Sequence, residues 1–316
     1  MPHRICATDI RERLGHQVLS RRDLLGKAAM AAAALVFPAP LATLRRRDPD
    51  HERLADWTAA LRAEGLARTE TPLGPGAVRV GKMAIGTPYQ PFTLEAYLRA
   101  GGSPAHEPLT LSLTRFDCTT LVEACLAVAR GAAGDAVPSW ERFGREIERM
   151  RYRGGERLGY TSRLHYFSEW ITDGEQRGLL NDRGAELGGI EDARPLRFMT
   201  QHRGKYPALA DDGVFREIGL MERRLDGRPR RVVPTARIPE IVDTIETGDV
   251  LAFATEIPGL DVTHAAFAYR DHSGIVRVLH APLSGGVVQV TRATLPEYVA
   301  AIRHCTGILV ARPLRG

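Results

Sequence analysis

The sequence predicts an α+β fold, a helical N-terminal half packed on a C-terminal antiparallel sheet. Three observations predict it. The final third carries GDVLAFAT, THAAFAYRD, GIVRVLHAP and GGVVQVT in succession, short apolar or alternating runs bounded by Gly, Asp or Pro, as strands are. The stretches before them space their apolar residues at helical intervals. The composition, 44% hydrophobic and 26% charged over 316 residues, belongs to a globular chain long enough to bury a real core.

The first 42 residues read as an address. LSRRDLLGKAAMAAAALVFPAPLA places paired arginines, Arg21 and Arg22, before an apolar run from Ala28 to Phe37 and a small-residue exit near Ala42. The run is too short to span a bilayer and fits the core of a signal peptide, and the arginine pair resembles the twin-arginine export signal. Residues 1–42 are therefore expected to be removed, leaving a bacterial protein in the periplasm or outside the cell with no membrane span. Residues 43–50, TLRRRDPD, read as an exposed linker, and 51–316 as one catalytic domain.

Within that domain, Leu54, Trp57, Leu61 and Leu66 predict an amphipathic helix from His51 to Gly65. LGPGAVRVG reads as a Gly/Pro-rich turn, MAIGTPYQPFTLEAYLRAGG as a loop and then a helix, and PLTLSL (Pro108–Leu113) as a short strand. FDCTTLVEACLAVARG predicts a helix with Asp117 as N-cap and Gly131 as C-cap. The middle third reads as mostly helical, with SWERFGREIERMRY and LHYFSEWITDGEQRG its strongest segments. After the strand runs, LPEYVAAIRH is a helix and GILVAR a last strand.

Charge excludes one class of partner. The formal net charge is +5, but residues 1–42 hold six Lys/Arg and three Asp/Glu, so the remainder carries 37 against 35, or +2. Lys27, Lys82 and Lys205 are the only lysines, and no basic block is interleaved with aromatics. Nucleic acid is not an expected partner.

Export permits disulfides, and loss of Cys6 leaves Cys118, Cys125 and Cys305, an odd number. Cys118 and Cys125 lie on one helix at a separation of roughly 10 Å, too far for a bridge. Cys125 reads as a core residue, with Cys305 as a conceivable partner, and Cys118 is left over. Its place at a helix start matters, because unpaired N–H groups and the helix dipole favour a thiolate there. A nucleophile needs a base, and the base needs a group to orient it. His264 begins one strand and His280 lies late in the next, so a hairpin can bring the two imidazoles to one side of a sheet packed on the Cys118 helix. His264 is the candidate base, with His280 holding its tautomer.

These residues carry a resemblance. FDCTTLVE, then GDVLAF, THAAFAY and VLHAP, resemble the pattern of NlpC-like bacterial cell-wall hydrolases, which have a compact papain-type fold. The resemblance implies Cys118 as nucleophile, His264 as general base and acid, and His280 as orienting group. GTPY, with Tyr89, is similar to a segment whose tyrosine lines the site in that superfamily. MRYRGG, SRLHYFSEW and GLDVTHAAF look like the branch described as N-acetylmuramoyl-L-alanine amidase-like, over about Val80 to Val310. FDCTT departs from the serine and glycine that follow the cysteine in many relatives. What the resemblance implies is a periplasmic cysteine hydrolase of peptidoglycan or muropeptides, cutting between N-acetylmuramic acid and L-Ala with no cofactor.

Around that chemistry, Tyr89, Asp117, His165, Tyr166 and Arg163 are the expected substrate-lining set. Asp117 doubles as the cap, its charge spent on helix N–H groups. Tyr166 and Trp170 stand i, i+4 on one helix face, which suits either a groove wall or a buried face. Arg151, Arg153 and Arg163 suit the carboxylates of a stem peptide. Alternatives are an endopeptidase cutting within the stem peptide at the γ-D-Glu bond, a zinc-dependent amidase using Cys118, His264 and His280, and a wall-binding module on an inactive scaffold. No close HxxE or HExxH pair supports zinc.

Overall fold

The computed structural model describes residues 48–134 and 136–316. The export signal predicted over 1–42 and most of the predicted linker lie outside those residues. Helix α1 (Pro49–Ala63) starts two residues before the expected His51: Asp48 accepts the Asp50 N–H at 2.9 Å and Pro49 sets the first turn. It buries Leu54, Trp57 and Leu61.

The predicted turn LGPGAVRVG is instead part of helix α2 (Leu73–Met83). Its glycines serve packing. A Cβ on Gly81 would stand 2.5 Å from Leu279 Cδ2, and one on Gly74 would stand 2.8 Å from the Thr247 carbonyl oxygen. The expected helix in the next segment shrinks to a 3₁₀ turn and α3 (Ala96–Arg99). PLTLSL forms no strand, because side chains of α1 take its backbone groups: the Leu113 N–H donates to Asp50 Oδ1 at 2.6 Å and Arg53 donates to the Leu113 carbonyl at 2.7 Å.

Helix α4 (Cys118–Gly131) runs through the middle of the helical layer and packs on α1, α2 and α5 (Trp140–Arg151). It is apolar on nearly every side, as a helix buried all round must be. After α6 (Phe167–Gln176) come two very short strands that the sequence reading passed over, β1 (Leu180–Asp182) and β2 (Ile190–Asp192). Then follow α7 (Phe198–Gln201), α8 (Asp212–Leu225), β3 (Arg230–Pro234) and α9 (Ile238–Ile241). Strands β4 (Val250–Thr255), β5 (Val262–Arg270), β6 (Val276–His280) and β7 (Gln289–Val290), helix α10 (Leu295–Ala301) and β8 (Cys305–Pro313) occupy the predicted places.

The sheet runs β2-β3-β8-β4-β5-β6-β7, every neighbouring pair antiparallel, with β1 also on β8. Its centre is buried on both faces. Val250, Ala252 and Ala254 enter a core shared with α1, α2 and α4, while Leu251 and Phe253 enter a second core shared with Ile238, Leu295 and Val299. That is why β4 reads as an unbroken apolar run rather than an alternation. A third core, with Tyr160, Tyr166, Met199, Leu209, Ile218 and Met221, holds the long insertion between α5 and β3.

Candidate active site

Cys118 is the first residue of α4, held by a capping box: the Thr120 N–H donates to Asp117 Oδ1 at 2.8 Å, and the Asp117 N–H donates to Thr120 Oγ1 at 2.8 Å. The sulfur of the half-buried thiol stands 3.9 Å from Thr119 Oγ1, and the Ala265 backbone on β5 favours its charged form. Burial and then the Asp117 charge push the thiol up to about 11. The expected lowering by the helix terminus is outweighed, and Asp117, although it caps the helix, still acts on the sulfur.

A β-bulge precedes His264. Phe253 pairs with His264 and Ala254 with Val262, so Thr263 is the extra residue. Bulges re-aim side chains and recur beside active sites. On β5, Ala265 and Phe267 enter the helix-side core and Ala266 and Ala268 the opposite one. The His264 ring stacks on Phe253 of that opposite core at 5.8 Å. His264 Nε2 stands 2.9 Å from His280 Nδ1, and the Tyr298 hydroxyl from α10 stands 3.1 Å from the same nitrogen. His280 is 2% exposed, and its Nε2 is buried with no hydrogen-bond partner among the described residues. Burial pulls His264 down to about 4, and burial together with His264 pulls His280 down to about 3. At neutral pH both rings are uncharged.

Cys118 and His264 line one pocket of about 160 Å³ with Thr119, Leu164, His165 and Trp170. The pairing with His280 uses Nε2, so Nδ1 is the His264 ring nitrogen with no hydrogen-bond partner among the described residues. The structure thus brings together Cys118, His264 and His280, and Tyr89 stands close enough for the thiol and Asp117 to act on its hydroxyl, which burial first, then those charges, raise to about 12.

The expected substrate-lining residues fare unevenly. His165 lines this pocket and an adjoining one of about 220 Å³; its Nε2 lies 2.9 Å from the Tyr160 carbonyl, and burial and Arg163 pull it well below the usual histidine range. Tyr166 borders the second pocket, but it is buried and its hydroxyl donates to Glu222 at 2.7 Å. Trp170 is buried and stacked on Phe167 at 4.9 Å. The arginines are occupied within the protein: Arg151 with Glu123, Arg153 with Glu169, and Arg163 with Glu95 and Glu107. Their guanidinium groups answer internal carboxylates, and Arg151 and Arg163 also line the second pocket, where Arg163 Nε makes no hydrogen bond among the described residues. Cys125 and Cys305 are unbridged; Cys125 is buried in the helix-side core, and Cys305 donates to the Gly307 carbonyl at 3.3 Å.

Sequence reasoning missed three residues of the site. Tyr298 lay in a helix with no signal beyond an ordinary apolar stripe. Phe253 was one apolar residue in a strand. Asp261 stood within the quoted GLDVTHAAF, and is buried: it accepts from the Ser168 N–H and hydroxyl at 2.8 Å each and from the Val262 N–H at 2.8 Å, tying the start of α6 to the start of β5. Among the described residues no three His, Cys, Asp or Glu side chains gather as a metal ion requires, and no helix is long and apolar enough to cross a membrane.

Known proteins resemble this arrangement over most of the chain. An N-acetylmuramoyl-L-alanine amidase from Bacteroides uniformis is 30% identical, with a TM-score of 0.69 over 77% of this chain and 99% of its own. A Bacteroides fragilis protein provisionally called a xylanase is 32% identical, with a TM-score of 0.67 over 74% of this chain and 99% of its own. A Legionella pneumophila protein shares the fold at 17% identity, with a TM-score of 0.61 over 83% of this chain and 94% of its own. No curated protein sequence matches. The model of the AmiA-like family, N-acetylmuramoyl-L-alanine amidase-like, matches residues 79–308. This chain belongs to that family and is an amidase-like hydrolase.

Proposed function

We propose that the protein is a papain-type cysteine hydrolase that cleaves the amide between N-acetylmuramic acid and L-Ala in peptidoglycan or its fragments. Cys118 is the nucleophile, His264 the general base and acid, and His280 the group that orients His264. The observation that carries this reading is the His264–His280 pair at 2.9 Å opening onto the pocket that holds Cys118. We also propose twin-arginine export to the periplasm, on the strength of residues 1–42.

The resting site holds a neutral thiol and a neutral imidazole. His264 Nδ1 takes the thiol proton as sulfur attacks the carbonyl carbon, and the N–H groups at the start of α4 receive the oxyanion. The imidazolium then returns its proton to the leaving amine. Water, deprotonated by the same nitrogen, hydrolyses the thioester and frees the thiol.

Glycoside cleavage, the chemistry in the name of the B. fragilis relative, uses two carboxyl groups flanking the bond. Asp261 is the carboxylate on this pocket, and its oxygens are taken by Ser168 and Val262. The test is mass spectrometry of sugar-linked and free muropeptides incubated with the mature protein or Cys118→Ala in EDTA. Free stem peptide and free sugar from the wild type, lost on the order of 10⁴-fold in the variant, are expected. Shortened stems still joined to sugar would move the bond to the stem peptide. Cleavage only without EDTA would replace the thiol with a metal.

A further inference from the structure

His280 Nδ1 has two neighbours and one role to divide between them. A neutral imidazole carries one N–H and one lone pair, and here Nε2 is buried without a partner while Nδ1 faces both His264 Nε2 at 2.9 Å and the Tyr298 hydroxyl at 3.1 Å. Two arrangements satisfy these contacts. With the proton on Nδ1, His280 donates to His264 Nε2. The proton of His264 then sits on Nδ1, the nitrogen with no partner among the described residues, and the ring cannot accept a proton from Cys118. With the proton on Nε2, Nδ1 accepts, His264 donates from Nε2, and His264 Nδ1 carries the lone pair.

The second arrangement has a cost, because it leaves a buried N–H unpaired. It has a gain only through Tyr298. Among the described residues the half-buried phenol makes no other hydrogen bond, so His280 Nδ1 is the protein atom that can accept its O–H. We infer that the Tyr298 hydroxyl is a positioning group, which donates to His280 Nδ1, selects the tautomer with the proton on Nε2, and so leaves His264 Nδ1 able to receive a proton. As the thiol proton moves from Sγ to His264 Nδ1, the His264 Nε2–H becomes a charged donor and takes the larger share of the His280 lone pair. The perpendicular stacking of Tyr298 on His280 and its edge contact with Phe253 hold the hydroxyl in place. Cys118 on α4 and Cys305 on β8 are the titratable groups that act on that hydroxyl besides His280.

This inference rests on the reading of Cys118 and His264 as nucleophile and base, and the experiment separates the two. The His280 tautomer is read by ¹⁵N NMR of the imidazole nitrogens in wild type and Tyr298→Phe, and again with Cys118→Ala, where no turnover is needed. The proton is expected on Nε2 in wild type and displaced toward Nδ1 in Tyr298→Phe. The rate of Cys118 alkylation near neutral pH is expected to fall by about 3- to 10-fold in that variant, the worth of one ordinary hydrogen bond. Fluorotyrosine at 298, a stronger donor, is expected to raise the rate above wild type. A structural role would not follow phenol acidity. Wild-type His280 with its proton on Nδ1, or a tautomer unmoved by Tyr298→Phe, overturns the inference; if that variant does not fold, an alkylation rate indifferent to fluorotyrosine does the same. Cys118→Ala that still cleaves muropeptides overturns the nucleophile instead.

Discussion

Cys118 keeps its proton at rest, since burial and Asp117 hold the thiol up at about 11 while burial holds His264 down at about 4. A preformed thiolate–imidazolium pair would need the reverse order. The expected consequence is that the rate of Cys118 alkylation keeps climbing with pH toward about 11, with no plateau near neutrality; an early plateau would mean an ion pair at rest. The two carboxylates nearest this chemistry behave differently. Asp261 is enclosed and fully engaged, so it serves as a strut between α6 and β5. Asp117 both caps α4 and opposes the thiolate, two effects that mutation separates. Asp117→Ala is expected to cost about 1 kcal/mol of stability, whereas Asp117→Asn keeps the cap. Both remove the charge, so both are expected to lower the pH at which the thiol alkylates. Denaturant melts and alkylation profiles of the pair check this.

At the scale of elements, what the sequence disclosed depended on how local its cause was. The cap at Asp117, the continuous apolar face of α4 and the paired strands β5 and β6 follow from neighbouring residues, and each stands where the pattern put it. LGPGAVRVG failed because its glycines answer to distant atoms: Gly81 to Leu279 and Gly74 to Thr247. PLTLSL failed because Asp50 and Arg53 capture its backbone. Cys118, His264 and His280 were legible as types in context, a thiol at a helix start and imidazoles in adjacent strands. Tyr298 was not, because an aromatic on a short apolar helix looks the same whether it fills a core or reaches a histidine.

For the whole molecule, three cores divide the labour. The insertion core hangs on Glu222, fully buried, which accepts from the Tyr166 hydroxyl at 2.7 Å, the N–H groups of Met199 and Thr200 at 3.2 Å each, and the Thr200 hydroxyl. Glu222→Ala strands several buried donors at once and is expected to destabilise by about 3 kcal/mol or more. The insertion is expected to open first, so limited proteolysis of the variant should cut within residues 195–228 while the sheet stays intact. Cleavage spread evenly over the chain would mean that the insertion has no separate hold.

The two central cores lie on opposite faces of the sheet, and the proposed reacting pair is split between them. Cys118 rides on a helix seated in one, whereas His264 is stacked on Phe253 and tied through His280 to Tyr298 in the other. Their alignment is therefore a relative coordinate, measured across the thickness of β4 and β5 and set by residues no larger than alanine at Ala252, Ala265 and Ala266. A methyl group added there is expected to act as a shim that forces the two layers apart and shifts the gap between the reacting groups, so tolerance in this enzyme is written in its smallest side chains.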